Sequence, residues 1–433
     1  MHLSAHLDVD VVALEADDTV TVLLELVAPA PATDAARAEH TVVVVLDRSG
    51  SMGGGRLEHA QGALLRLVDR LADTDRFGLV AFDDQAQVVV PAGTVSAAGR
   101  DEIRHRITAL DTGGSTDLSS GYLRGLQEAR RVCTETGATI VLLSDGHANA
   151  GVTDPDALGG VARKAAQQAI TTSTIGIGLG YDQRLLAAVA RGGSGNHAFA
   201  EHADSAAAAV AAEIDGLLSK TAQAASLHVA PTADVRSVTV LNDLPSTAVE
   251  DGVLVELGDF YAAETRRVVL TFAVPAMAAL GLAQVATVTL TWVEIPTLEE
   301  HTVTIPISVN VVPADVAKGR VPAPVVEREK LFLATQRAKK DAEEALNRGD
   351  LASARTMLDD AMGAFADAPP ESLSDRELDE LTWLGTTRDT LDRRGAQYTS
   401  KRLNADHARK SRYAGRKQGG EIDGSATDPS SER

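Results

Sequence analysis

Apolar residues recur along the chain with different periods, and each period marks a different kind of element. Near the start, Leu3, Ala5, Leu7, Val9 and Val11 alternate with His2, Ser4, His6, Asp8 and Asp10. A period of two predicts a strand with one apolar and one wet face. Residues Thr19 to Val27, TVTVLLELV, predict a second strand, and APAPATDAARAEH is a small-residue, Pro-containing linker. From residue 41 the character changes. TVVVVLD is nearly continuous in Val, as a strand buried on both faces requires. In RLEHAQGALLRLVDRLAD, Leu57, Ala60, Leu64, Leu67, Val68 and Leu71 share one helical face. Strand-like and helix-like segments alternate through residues 41–219, which predicts a doubly wound, mostly parallel sheet with helices on both faces.

Residues 225–313 return to short β-rich runs: VRSVTVL, VLVEL, RRVVLTFAV, VATVTLTWV and TVTIPISVNVV. A lone pair of strands is marginally stable in water. The strands of residues 1–30 are therefore expected to complete this later sheet, as the first part of a discontinuous antiparallel β-sandwich. The α/β domain is then an insertion, which is plausible because domain termini commonly lie close together at the surface. Residues 325–398 have helical periodicity, with a turn at Gly349 and a break at Pro369 and Pro370. Residues 399–433 are expected to be a basic, disordered tail, with seven Lys or Arg against one Asp in 401–417.

Composition narrows the function. Over 433 residues, Asp plus Glu number 61 against 41 Lys plus Arg, a net charge of −20 that disfavours general binding to nucleic acid or anionic lipid. The single cysteine, Cys133, excludes an intramolecular disulfide and a cysteine-built zinc site. The start, MHLSAHLDVD, has no basic region followed by an apolar run, so a cytoplasmic protein is expected. The uncharged stretch Val268–Val293 is long enough to span a bilayer, but Pro275, Gly281 and its regular threonines favour two strands and a connection.

The candidate chemistry lies where strands end. TVVVVLD runs into Asp47-Arg48-Ser49-Gly50-Ser51, and Gly53-Gly54-Gly55 opens the next helix. Ligands of open α/β sheets sit outside the carboxyl ends of strands. Asp47 offers a carboxylate there, and Ser49 and Ser51 offer hydroxyls. Thr116 follows the flexible Gly113-Gly114-Ser115, and Asp145 ends the strand ATIVLLS. Hard oxygen donors, few of them charged, suit Mg²⁺ that keeps some of its water.

These residues resemble the metal-ion-dependent adhesion site of von Willebrand factor type A domains. The resemblance rests on VVVVLDRSGSM, GGSTDL, LLSDG and IGIGLGYDQRLLAAVARGGSG, and covers about residues 41–219. It implies a Rossmann-like fold in which Asp47, Ser49, Ser51 and Thr116 are metal ligands and Asp145 acts directly or through water. The cofactor it implies is Mg²⁺, with Mn²⁺ or Ca²⁺ as alternatives. The function it implies is protein binding, in which an acidic side chain of the partner completes the coordination. Arg48, Gly114, Ser115 and His147 flank the site and are candidate partner contacts. The flanks, including LGDFYAAETRRVVLTFAVP, are similar to bacterial cytosolic proteins that embed a type A domain in a β-sandwich. Some plant ubiquitin ligases share that core, but their cysteine-rich RING is excluded by the single cysteine.

Two rival functions use the same site. One is a phosphatase-like hydrolase, because a metal with open positions polarises phosphoryl oxygens. The sequence shows no nucleophile–base pair for it, so a non-enzyme is expected. The other is an adaptor for an AAA+ ATPase, suggested by resemblance to chelatase-type systems. Other motifs carry less. Gly176-Ile177-Gly178-Leu179-Gly180 lacks the third dinucleotide-fingerprint glycine, which would fall at Tyr181. Arg348-Gly349-Asp350 sits at a helix–helix turn, where glycine is expected for the turn itself. Asp117 is expected to cap the helix starting at Leu118.

Overall fold

The computed structural model describes residues 1–29, 39–217, 219–233, 235–295, 297–366 and 373–412. Three strands come first: β1 (His2–Leu7), β2 (Val11–Ala13) and β3 (Asp18–Val27). The alternating segment Leu3–Val11 is thus divided rather than continuous. Asp8 Oδ1 accepts from the amides of Val9 and Thr21 at 2.7 and 2.8 Å, which turns the chain and sends β2 to a different sheet.

The inserted domain then runs β4 (Thr41–Asp47), α1 (Arg56–Arg70), β5 (Arg76–Phe82), β6 (Ala86–Thr94), α2 (Ala97–Thr108), α3 (Leu118–Val132) and β7 (Ala138–Ser144). It continues through α4 (Pro155–Ala166), β8 (Ile170–Ile177), α5 (Gln183–Gly192), β9 (Ser194–Ala200) and α6 (Ala203–Leu217). Its six strands lie in the order β6-β5-β4-β7-β8-β9, parallel except for the edge strand β6. Every residue of β4, β7 and β8 is buried, because helices cover both faces. Alternate strand residues feed the two cores: Val42, Val44 and Leu46 face one, Val43 and Val45 the other. Helix α3 packs closely on the sheet. A side chain at Gly125 would meet Val45 Cγ2 at 2.3 Å, so only glycine allows this approach.

The chain then returns to β structure with β10 (Lys220–Pro231), β11 (Ser237–Val240), β12 (Ser246–Val249), β13 (Gly252–Tyr261), β14 (Thr265–Val274), β15 (Gly281–Glu294) and β16 (Glu300–Val312). Two sheets form, ordered β1-β3-β14-β11 and β12-β13-β10-β15-β16-β2. The N-terminal strands therefore do join the later ones: β3 pairs antiparallel with β14 along its whole length, from Asp18↔Val274 to Val27↔Thr265. Leu24, Leu26, Leu270 and Phe272 from one sheet share a core with Leu227, Val288, Leu290 and Ile307 from the other. The uncharged run Val268–Val293 is accounted for by β14, β15 and their connection, and no helix among the described residues is long and apolar enough to cross a membrane.

A short α7 (Ala314–Ala317) leads to α8 (Pro324–Asn347), α9 (Leu351–Ala366) and α10 (Asp375–Arg412). Val326, Phe332 and Leu333 of α8 cover Leu23 and Val269 on the outer face of the four-stranded sheet. The expected tail from residue 399 is corrected over its first part. Helix α10 continues to Arg412, with Thr399, Ser400, Lys401, Leu403, Asp406 and His407 buried. The charges there are used internally: Lys339, itself buried, is paired with Glu380 and Asp406, and Lys410 lies 2.7 Å from Glu380. Residues 413–433 lie outside the described residues.

Candidate metal centre

Three loops at one edge of the parallel sheet bring the sequence-predicted oxygens together. Asp47 is the last residue of β4, Asp145 follows β7, and Thr116 precedes α3. Asp47 is buried; its Oδ1 accepts from the Ser49 amide at 2.8 Å, and its Oδ2 accepts from Ser144 Oγ at 2.6 Å. The Ser49 and Ser51 hydroxyls lie 3.0 Å apart, and Ser51 Oγ donates to Asp145 Oδ1 at 2.6 Å. Ser49, Thr116 and Asp145 are buried, whereas Ser51 is exposed at the rim.

Gly146 defines the space these groups enclose. A Cβ built on it would lie 3.0 Å from Thr116 Oγ1, 3.2 Å from Ser51 Oγ and 3.8 Å from Asp47 Oδ2. Glycine leaves that position open, with hydroxyl and carboxylate oxygens facing it. Backbone bonds lock the loops in register. The Gly113 amide donates to Arg48 O at 2.8 Å, and the Gly50 amide to Gly114 O at 3.2 Å. Thr116 is clamped by Asn149, which accepts from its amide through Oδ1 at 3.1 Å and donates its own amide to Thr116 O at 3.1 Å. Asp117 caps α3 by accepting from the Ser120 amide at 3.0 Å.

Burial pushes the Asp47 carboxyl above its ordinary range, against hydrogen bonds from Ser144 and Ser49, and the negative charge of Asp145 pushes the same way. Burial also raises Asp145, opposed by Ser51 and Arg56. Two desolvated carboxyls with three hydroxyls at the same opening fit a hard divalent cation, which would stabilise both anions and accept only oxygen donors. Among the described residues, no group of three or more His, Cys, Asp or Glu forms a metal cluster, so a cation here would rely on the hydroxyl donors as well as the two carboxyls.

The candidate partner contacts differ in what they have free. The Arg48 guanidinium lies 2.9 Å from Asp83 Oδ2, so a carboxylate of this chain already holds it. Gly114, with φ of +62°, and Ser115 are exposed in the Thr116 loop. His147 is 69% exposed, its Nδ1 3.8 Å from Asp182 Oδ2. Three supporting residues escape the sequence reading. Ser144 was visible in LLSDG, beside Asp145. Asn149 and Arg56 act through space: Arg56 lies 3.0 Å from Asp145 Oδ2 and donates to Ser51 O at 2.6 Å.

Comparison with known proteins bears on the fold that carries this site. Residues 41–212 match the von Willebrand factor type A domain family. An uncharacterised protein of Synechocystis sp., sll0103, is 33% identical over 159 residues, a match that takes in 37% of this chain and 37% of that protein. The chain thus spans well under half of that relative's length. Among solved structures, a von Willebrand factor type A protein from Catenulispora acidiphila superimposes with a TM-score of 0.70 at 17% identity, covering 88% of each chain. The ArnB paralog VWA2 from Sulfolobus acidocaldarius gives 0.62 at 13% identity, covering 95% of this chain and 97% of that one. At such identities the likeness speaks to fold alone, and it extends over the flanks as well as the insertion. Residues 41–212 are a von Willebrand factor type A domain.

Proposed function

We propose that this chain binds a protein partner through a divalent cation held by Asp47, Ser49, Ser51, Thr116 and Asp145, with Mg²⁺ the first choice and Mn²⁺ or Ca²⁺ as alternatives. The observation that carries the reading is that oxygens of Thr116, Ser51 and Asp47 face the open position at Gly146, with Ser49 and Asp145 joined to Ser51 by hydrogen bonds. Hard oxygen donors of low total charge leave a bound Mg²⁺ with net positive charge and exchangeable positions. The chemistry supplied is a coordination position for an acidic side chain of the partner. Asp47 and Asp145 hold the anionic side of the site, Ser49, Ser51 and Thr116 provide neutral donors, Ser144 and Asn149 orient Asp47 and Thr116, and Arg56 competes with the cation for Asp145. Exposed Gly114, Ser115 and His147 border the opening a partner would approach. Binding is favoured over hydrolysis because both serine hydroxyls are engaged within the donor set, at 3.0 and 2.6 Å.

Affinity capture with the full chain tests this. Wild type in Mg²⁺ should retain a partner that is lost in EDTA and lost with Asp47→Ala. A partner retained equally by Asp47→Ala, or in excess EDTA, overturns the reading.

A further inference from the structure

The metal loops are not independent of the C-terminal helices. The loop between β8 and α5, residues 178–182, packs directly behind the peptide that carries Asp145 and Gly146. The Asp182 amide donates to Gly146 O at 3.3 Å, and a Cβ on Gly180 would lie 2.8 Å from Asp145 O. On its other side this loop is gripped by α10. Gln397 Nε2 donates to Leu179 O at 2.9 Å, and Lys401 Nζ donates to Tyr181 O at 2.8 Å while sitting 3.7 Å from the centre of the Tyr181 ring. Tyr181 is buried, and its ring occupies the space a side chain at Gly176 would need, 2.4 Å away. Next to this contact, Arg394 pairs with Glu201, and Tyr398 Oη donates to Glu201 Oε2 at 2.7 Å.

Helix α10 is jointed where the grip begins. Gly395 has φ 78° and ψ −179°, non-helical values that divide residues 375–412 into two helical segments, and the chain folds back there, so that Lys410 after the break lies 2.7 Å from Glu380 before it. Both segments pack in the helical unit, through Leu384 and Leu391 before the break and Leu403 after it. The second segment also reaches the inserted domain through Gln397 and Lys401. A packed support of this kind holds the 178–182 loop from outside the inserted domain.

We propose that α10 is a built-in regulatory brace for the metal site: docking of residues 394–401 onto the 178–182 loop and cation binding beside Gly146 favour one another. The proposal rests on the metal-site reading above. In the docked form the loop supports the Asp145–Gly146 peptide, and the donor oxygens are assembled. Loss of these α10 contacts removes that support from one side of the site. Linkage makes the coupling reciprocal, so a bound cation must tighten the docking of α10 by the same factor.

The test uses the full chain with Mn²⁺ as probe, its free concentration read by electron paramagnetic resonance. Arg394→Glu with Gln397→Glu places carboxylates against Glu201 and the Leu179 carbonyl, and both parent side chains are exposed, so the fold is kept; circular dichroism melting verifies this. The variant should bind Mn²⁺ about 5-fold or more weakly, the lower end of typical coupling. Reciprocally, Mn²⁺ should slow amide hydrogen exchange across residues 396–410 of wild type and leave Asp47→Ala unaffected. Mn²⁺ affinity within twofold of wild type in the double variant, or exchange in 396–410 indifferent to Mn²⁺, overturns the brace while Asp47→Ala still loses the metal. Full Mn²⁺ affinity in Asp47→Ala overturns the metal site itself, and the brace with it.

Discussion

Gly146→Ala separates the shape of the metal site from the identity of its ligands, since it deletes no donor. The methyl group would sit 3.0 Å from Thr116 Oγ1 and 3.2 Å from Ser51 Oγ, closer than the roughly 3.4 Å at which carbon and oxygen rest comfortably. Gly146 has no positive φ, so alanine is allowed by the backbone. The hydroxyls must then retreat by a few tenths of an ångström, away from the opening they share. Mg²⁺ and Mn²⁺ demand short oxygen contacts, about 2.1 Å for Mg²⁺ in near-ideal octahedral geometry. Loss of one neutral donor to a charged centre, taken as equivalent to a charged hydrogen bond, costs about 1.5–3 kcal/mol. That corresponds to about 10- to 150-fold in affinity. The fold itself should change little, because Gly→Ala at a permitted position stabilises by about 0.4–1 kcal/mol through the unfolded chain. Titration with Mn²⁺ reads the first effect, and thermal melting in EDTA reads the second. Mn²⁺ affinity within twofold of wild type, in a variant that melts normally, would refute the placement of the cation beside Gly146.

Further expectations follow from the charges and cores around the site. Arg56→Ala removes a cation 3.0 Å from Asp145, so Mn²⁺ should bind a few-fold more tightly; the 43% exposure of Arg56 keeps the gain small, and weaker binding would instead make Arg56 an essential support of Asp145. Burial lowers the Lys401 ammonium to about 8, against the attraction of Asp182, whereas unfolded lysine titrates near 10.4. The unfolded chain therefore holds more protons at this residue between those values, and its contribution to stability rises with pH across that window. Urea unfolding at pH 8 and 9.5 should show a smaller increment, or a steeper fall, in Lys401→Met than in wild type; parallel behaviour would contradict the burial of a charged Lys401. Leu26→Ala empties a buried position in the sandwich core and should cost about 2–5 kcal/mol. Its Mn²⁺ affinity at a temperature where it remains folded should match wild type, and a fall would show that the sandwich supports the metal loops.

How much could be read in advance depended on whether each signal was local. β4 and β7 are runs of mostly apolar residues buried on both faces, so strand and burial were written together. The donors Asp47 and Asp145 stand where those runs stop, which made the metal loops legible from order and spacing. β10 was largely missed because KTAQAASLHVAP is rich in alanine, which has no β preference; its place is fixed by pairing with β13 and β15 on either side. The end of α10 was misread for a related reason. Its lysines and arginines look like a solvated tail until the fold-back at Gly395 brings Glu380 against Lys410 and a distant loop brings the Tyr181 carbonyl against Lys401. Arg56 and Asn149 became visible only when the three loops met. Gly146 holds the same lesson in one residue. Its lack of a side chain carries no meaning in the string LLSDG, yet it is what leaves room in front of Thr116 and Ser51. The residues that bear charge were announced by the sequence, and the space they act in was created by the fold.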